Sequence, residues 1–433
     1  MILVALASMA IQTATHPPRV VAQSDGRPLV VSASTPAVHR LTLKDARQLA
    51  LGNKNLVLAR MNVAEKGHAT AAARKDYLPK VLGIDTFFHF NDDLGSVVTA
   101  QRGGLGILAP GTITANSAVL KQNSNLASVM VAQPVTKLIA VNAAVQLARA
   151  DQNAAEAQLD KGTRDVLSGV TQAYHGLLGA QRIQGALELQ ANVLEQLLLA
   201  KPLPEVRIGL VETRQGLVQV RGQVRELTEQ LNDLLNLPAC TVLELVDPVP
   251  AELALGCAEH AVALAVTCNP EVRAAQQGVA KAEAAMKLAR MAYLPDINVI
   301  GGYANQTVAG YIQPNIGFVG VTGSYTFFEW GRKRDVIRQR EMDISLAHQN
   351  VQVVMDKVQL EARKAFGGYE DARDTYRLAG DMVQARKDAE KAMTGPAAIQ
   401  AKGDSAKAEL EYMKAEIAYR IARTQLAAVV GRE

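Results

Sequence analysis

The sequence predicts an α+β chain made of two tandem copies of one unit: helix, strand, strand, long helix, short helix. Three observations lead there. Two stretches 216 residues apart match position by position. In each copy a helical hydrophobic period gives way to alternation at a Tyr-Leu-Pro. Two helical runs are too long for a compact globule. Composition sets the outer bounds. The chain has 433 residues, 48% of them hydrophobic, which excludes disorder for its bulk. A net charge of +4 over that length is no electrostatic footprint for nucleic acid. No run of about 18 apolar residues occurs, so a transmembrane helix is excluded. Transmembrane β-strands, whose signal is short and alternating, are not.

Met1 to Ala10 has the length of a signal-peptide h-region, with small residues following near Ala14. The choice is between an ordinary terminus and an export signal over 1–15 that lacks the usual basic start, through truncation or misassignment; export is the expectation. Residues 16–40, rich in Pro, Ser and Val, read as an extended arm. The first repeat spans 41–237, a linker with Pro238, Pro248 and Pro250 spans 238–256, and the second repeat spans 257–433. Matches between copies include Asn53/Asn269, Val63/Val279, Ala64/Ala280, Ala73/Ala289 and Arg74/Arg290. Tyr77-Leu78-Pro79 stands against Tyr293-Leu294-Pro295, and each proline stops its helix.

Strands are expected at about 81–91 and 125–136 in copy one, and at about 296–305 and 315–328 in copy two. Leu82, Ile84, Thr86, Phe88 and Phe90 fall on one face, Gly83, Asp85 and His89 on the other. In copy two Ile297, Val299 and Tyr303 alternate with Asn298, Gly302 and Ala304. Such alternation suits a barrel strand with a wet interior, and makes His89 a lumen group rather than a ligand. Gly-rich segments, Arg102–Gly111 and around Gly310, separate the strands of each hairpin.

Long helices follow, about 138–201 and 331–394, each roughly 90–100 Å long as coiled-coil segments would be. The breakers Pro202, Pro204 and Gly395-Pro396 end them. Tips are placed near 202–210 and 395–404, with turns centred on Gly209 and Gly403 and shorter helices returning. Those glycines differ by 194 rather than 216, and the longer hairpin loop of copy one absorbs the difference.

Of the 18 aromatic residues, twelve lie in Tyr77–Phe90 or Tyr293–Trp330, beside the strands. Aromatics favour strands in any protein, but the cluster Tyr325, Phe327, Phe328 and Trp330 at a strand–helix junction suits a membrane interface. Four strands cannot close a barrel, and open edges are untenable in lipid. A dimer would supply eight strands, a trimer twelve with room for a pore.

The ordered set of motifs resembles the TolC-like outer-membrane efflux proteins over about Leu41 to Gly431. The helix-to-strand junctions are Tyr77-Leu78-Pro79 and Tyr293-Leu294-Pro295. Gln133-Pro134-Val135 and Phe327-Phe328-Glu329-Trp330-Gly331-Arg332 are similar to the family's strand-to-helix junctions. Ile208-Gly209-Leu210 looks like its Val-Gly-Leu tip, with Lys402-Gly403-Asp404 in the same place in copy two. The resemblance implies a homotrimer in which twelve strands form an outer-membrane barrel continued by a helical periplasmic tunnel. It implies as partners outer-membrane lipid, an inner-membrane pump and a periplasmic adaptor docking at the tips, and it makes the chain a passive export duct. It also implies an acidic ring at the tunnel end, carried by Glu409 with Glu411 nearby, against which stands a solvated glutamate pairing with Lys407 or Lys414. Two departures are Pro202 and Pro204 before the first tip, and Gln215 in place of an acid.

No catalytic, metal or cofactor constellation emerges. Gly104-Leu105-Gly106-Ile107-Leu108-Ala109 fits a loose dinucleotide pattern, but Pro110-Gly111 follows where the helix should begin. Cys240, Cys257 and Cys268 lack zinc-site spacing; either Cys240 and Cys257 bridge or the thiols are free and buried. The rival readings are a soluble structural coiled coil with no transport role, which should lack alternating strands, and an enzyme with a helical domain, which would need a convergent polar site.

Overall fold

The computed structural model describes residues 38–91, 94–100, 113–120, 122–200, 202–239, 241–247, 257–308, 313–393 and 396–431. The expected signal peptide, the arm up to residue 37, Gly104–Ala109 and Cys240 lie outside them. In chain order come β1 (Val38–Leu41), α1 (Leu43–Ala50), α2 (Lys54–Lys75), β2 (Lys80–His89), β3 (Leu94–Ala100), β4 (Ile113–Leu120) and β5 (Asn123–Pro134). The first unit ends with α3 (Lys137–Ala200) and α4 (Pro204–Leu234). Then follow β6 (Val242–Leu245), α5 (Ala258–Cys268), α6 (Pro270–Met291), β7 (Asp296–Gln306), β8 (Asn315–Ser324), α7 (Arg332–Ala392) and α8 (Pro396–Val430).

Asn53 and Asn269 explain the duplication at atomic level. Each caps a 22-residue helix, accepting from the backbone N–H of Asn55 at 2.9 Å and of Glu271 at 2.7 Å. The first helix of each unit is therefore two helices, α1–α2 and α5–α6, broken where the asparagine takes over the orphan donors. At the far ends Leu78 N–H bonds Lys75 O at 3.0 Å and Leu294 N–H bonds Met291 O at 3.0 Å. Pro79 and Pro295 come next, offer no N–H, and release the chain into β2 and β7.

One antiparallel sheet runs in the order β2-β5-β7-β8, joining the two copies through β5 and β7. Its register corrects the sidedness read from each strand alone. Leu82 stands opposite Met130, which stands opposite Gly302 and so Phe318. Val299 belongs to the other face, in a row with Gln133 and Val321. The apolar sets of the two copies thus lie on opposite faces, and both faces carry apolar side chains. The even-numbered side chains of β7 are the more sheltered, ending in buried Gln306. Asp85 and His89 lie on the odd-numbered, more open face, not a sheltered one; His89 Nδ1 is 2.8 Å from Asn123 Oδ1. Gly302 makes room in the centre of the sheet: a Cβ there would come within 2.5 Å of the Val129 carbonyl and 3.1 Å of Phe318 Cζ.

Between β2 and β5, part of what reads as loop is a separate antiparallel hairpin, β3–β4. β8 stops at Ser324, short of the expected 328, and the chain runs irregularly to two left-handed residues, Trp330 (φ 52°) and Gly331 (φ 87°).

The helices form a layer in which α2 packs on α3, α3 on α6 and α6 on α7. Towards the other end α4 folds back on α3, α8 on α7, and α3 also meets α8. The two long helices have 64 and 61 residues. The turns are not centred on the tip glycines: Gly209 and Gly403 sit inside α4 and α8, which begin at Pro204 and Pro396 soon after α3 ends at Ala200 and α7 at Ala392. Pro204 and Pro396 begin the return helices, since a fixed φ and a missing N–H cost nothing in a first turn.

The described residues have no single core; their apolar clusters are spaced along the helices. The largest, at the waist, gathers Leu41, Val170, Tyr174, Leu177, Leu231 and Leu243. There β1 pairs in parallel with β6, two four-residue strands with no signal in the sequence. The fully buried Tyr174 fastens them: its hydroxyl lies 2.9 Å from Leu41 O and 2.6 Å from Val246 O, and accepts from Val246 N–H at 3.0 Å.

Candidate functional site

The sequence-predicted residues fall at three levels. At the α3–α4 tip, Leu210 is a core residue, 5% exposed, packed in a cluster with Leu187, Ala191 and Leu217. Gly209 faces Leu194, and its carbonyl accepts from Thr213 Oγ1 at 2.8 Å. Of this motif only Ile208 points outward, continuing with Val211 and Val218 as an exposed apolar stripe. At the second tip Lys402 is exposed, Gly403 has open space where a Cβ would stand, and Asp404 accepts from Arg386 at 3.2 Å.

Glu409 does not stand free on its helix. Its Oε1 lies 2.7 Å from Lys387 Nζ on α7, and the hydrogen bond raises the Lys387 ammonium above its ordinary range. Glu411 pairs with Lys414 at 2.7 Å, whereas Glu409 meets neither Lys407 nor Lys414.

At the sheet end, Tyr77, Leu78, Tyr293 and Leu294 are all at least 40% exposed. Phe327 and Trp330 stand almost fully in the open, at 90% and 88%, with Phe328 beside them. Tyr325 packs edge-on against Phe327 with centroids 5.3 Å apart, and Phe328 against Trp330 at 4.7 Å.

Sequence reasoning missed the charged network at the waist. Asp247, leaving β6, accepts from Arg182 of α3 and, at 2.7 Å, from Arg420 of α8; Glu416 bridges the same arginines. Partial burial alone would raise the Asp247 carboxyl, but its arginine hydrogen bonds outweigh that and hold it below the usual range. Beside them His175 Nδ1 and Arg423 Nε are buried without hydrogen-bond partners. Burial first, then the charges of Arg420 and Arg423, push His175 down to about 4. A tyrosine stack runs along the α7–α8 pair: Tyr376 and Tyr412 share a 2.8 Å hydrogen bond, and that bond, with burial, pushes Tyr376 up to about 12.

Cys257 and Cys268 are free and exposed, where buried thiols were expected. Among the described residues no group of three or more His, Cys, Asp and Glu could hold a metal ion, and no helix is long and apolar enough to cross a membrane.

No family model and no curated protein matches the chain. Solved structures do. The outer-membrane channel OprN superimposes with a TM-score of 0.72 at 16% identity, over 97% of this chain and 99% of that one. The MtrE outer-membrane channel of Neisseria gonorrhoeae, in its open state, gives 0.71 at 15% identity, over 90% and 88%. The CmeC outer-membrane channel of Campylobacter jejuni gives 0.68 at 13%, over 90% and 85%. What this chain shares with them over those spans is the TolC-like channel-tunnel fold.

Proposed function

We propose that the chain is one subunit of a homotrimeric outer-membrane channel continued into the periplasm, a passive export duct driven by an inner-membrane pump through an adaptor. One observation carries the reading: the open edges of the sheet and of the helical layer coincide. β2 continues from α2 along one flank, and β8 leads into α7 along the other. Unpaired ladder groups on both sheet edges have no place in lipid unless a sister subunit meets them. Three copies joined flank to flank align twelve strands over one continuous layer of helices, wide enough for a pore. In that ring the odd-numbered face turns outward. Its apolar rows near the helices (Val81, Val131 and Val319; Val129 and Tyr303) meet lipid. Farther along, Asp85 with Asn125 and Asn305 with Asn315 make a polar row suited to the outer surface.

The neighbouring structures support the same reading, each being described as an outer-membrane channel. A soluble coiled coil has no use for the four-stranded sheet. The test is to isolate outer membranes and run the protein on a gel with and without boiling, then record it in planar bilayers. A heat-sensitive trimer that conducts supports the proposal; a soluble monomer that forms no channels overturns it.

A further inference from the structure

The β8–α7 junction carries a feature that an interfacial belt alone does not require. A cleft of about 320 Å³ opens there, lined by Asp296, Tyr325, Thr326, Glu329, Arg332 and Lys333. The half-buried Lys333 reaches into it, with no carboxylate partner among the described residues. Its Nζ lies 4.7 Å from the Tyr325 ring centroid and 5.8 Å from that of Tyr293, and donates to Thr326 O at 3.4 Å. Arg332 is mostly exposed and only loosely paired, 3.8 Å from Glu329. Immediately outside stand Phe327, Phe328 and Trp330. Trp330 holds a backbone conformation that bulky residues rarely adopt, so the turn commits the indole to the surface.

We infer that this junction binds the head group of a glycerophospholipid, Lys333 and Arg332 taking the phosphate while Phe327, Phe328 and Trp330 lie against the glycerol and upper acyl chain. The order of groups, cation in a cleft and then exposed rings, follows the order of groups along a phospholipid from phosphate to hydrocarbon. The inference rests on the membrane reading above, and the ring strengthens it. There, the end of α2 from the next subunit brings Arg74 and Lys75, both exposed, towards the start of α7. Like charges on two flanks repel unless an anion lies between them. Copy one has Val135-Thr136-Lys137 at the equivalent junction and no ring, so the site occurs once per subunit.

Trp330 is the chain's single tryptophan, so its fluorescence reports this place alone. The full-length protein is reconstituted into phosphatidylglycerol or phosphatidylcholine vesicles brominated near the head group or near the methyl end. Shallow bromines should quench Trp330 more than deep ones. Native mass spectrometry then counts phospholipid retained by the detergent-extracted oligomer. Wild type should keep lipid of either class, and Lys333→Gln with Arg332→Gln should lower retention roughly five-fold for each charge removed. The control Lys402→Gln, at the far tip, should retain as wild type does. Shallow quenching with unchanged retention in the double variant overturns the head-group site while leaving the membrane reading intact. Absence of quenching by any lipid overturns both, and a polypeptide co-purifying on Trp330 in place of lipid overturns the site.

Discussion

Glu409 Oε1 on α8 lies 2.7 Å from Lys387 Nζ on α7, so the carboxylate expected to charge the tunnel end is neutralised within its own hairpin. Deleting either partner changes the local charge in opposite senses. Lys387→Met exposes a carboxylate in each subunit and should raise cation preference in planar bilayers, whereas Glu409→Ala exposes an ammonium and should lower it. Reversal potentials under a salt gradient measure both. If neither moves, Glu409 is a surface charge remote from the conduction path.

The tip glycines offer a second test, and their placement inside helices changes which substitution is informative. Proline at 209 would break α4 and report only on folding. Gly209→Ala should instead stabilise the helix by about 0.5–1 kcal/mol, since Leu194 leaves room for a methyl group. Gly403→Leu enters open space inside α8 and should likewise stabilise its helix, by about 0.5–1 kcal/mol. If the second tip docks an adaptor, Gly403→Leu should fold and insert yet capture less of it, while Gly209→Ala, whose methyl faces Leu194, should capture as wild type does; full capture by Gly403→Leu removes that tip from the role.

His175 makes stability depend on pH. Its imidazole titrates near 4 when folded and near 6.5 otherwise, so the unfolded chain binds more protons between those values. Stability is complete above about 6.5 and falls as pH drops towards 4, by up to about 1.4 kcal/mol per pH unit. The charges around the ring include Arg420, Arg423 and Asp247, with Arg182 and Glu416 lining the same crevice; the arginines stay charged throughout. Melting of the helical circular-dichroism signal at pH 4.5 and 7 checks this. His175→Leu should flatten that difference.

A glycine sets the tolerance of the sheet. Gly302→Val drives a side chain into the backbone of β5 and the ring of Phe318, an overpacking of about 1–3 kcal/mol. Gly320→Ala, on the same face with nothing within 4 Å, should be neutral. The yield of heat-resistant oligomer after refolding separates the two.

Much of this fold was legible because its signals are local. Asn53 and Asn269 cap their helices, Tyr-Leu-Pro ends them, and the offset of 216 carries Lys54–Lys75 onto Pro270–Met291. The errors came where distant residues decide. The sidedness of β2 against β7 depends on a register set through β5, which no single strand reveals. The turns were assigned to Gly209 and Gly403 because glycine suggests a bend, whereas Pro204 and Pro396 start helices and push the turns upstream. The β1–β6 pair and the Asp247 cluster join positions far apart in the chain, so neither leaves a periodicity to detect.

If the α2–β2 flank of one subunit meets the β8–α7 flank of the next, as proposed, the arrangement has a genetic consequence. Every subunit must offer both sides to its neighbours, so one faulty copy spoils the whole ring. In cells making sound and edge-damaged protein equally, about one of the proposed trimers in eight would be free of damage if incorporation is random. Mutations along these flanks should therefore behave as dominant, poisoning the wild-type product, while those at the waist or tips should be recessive.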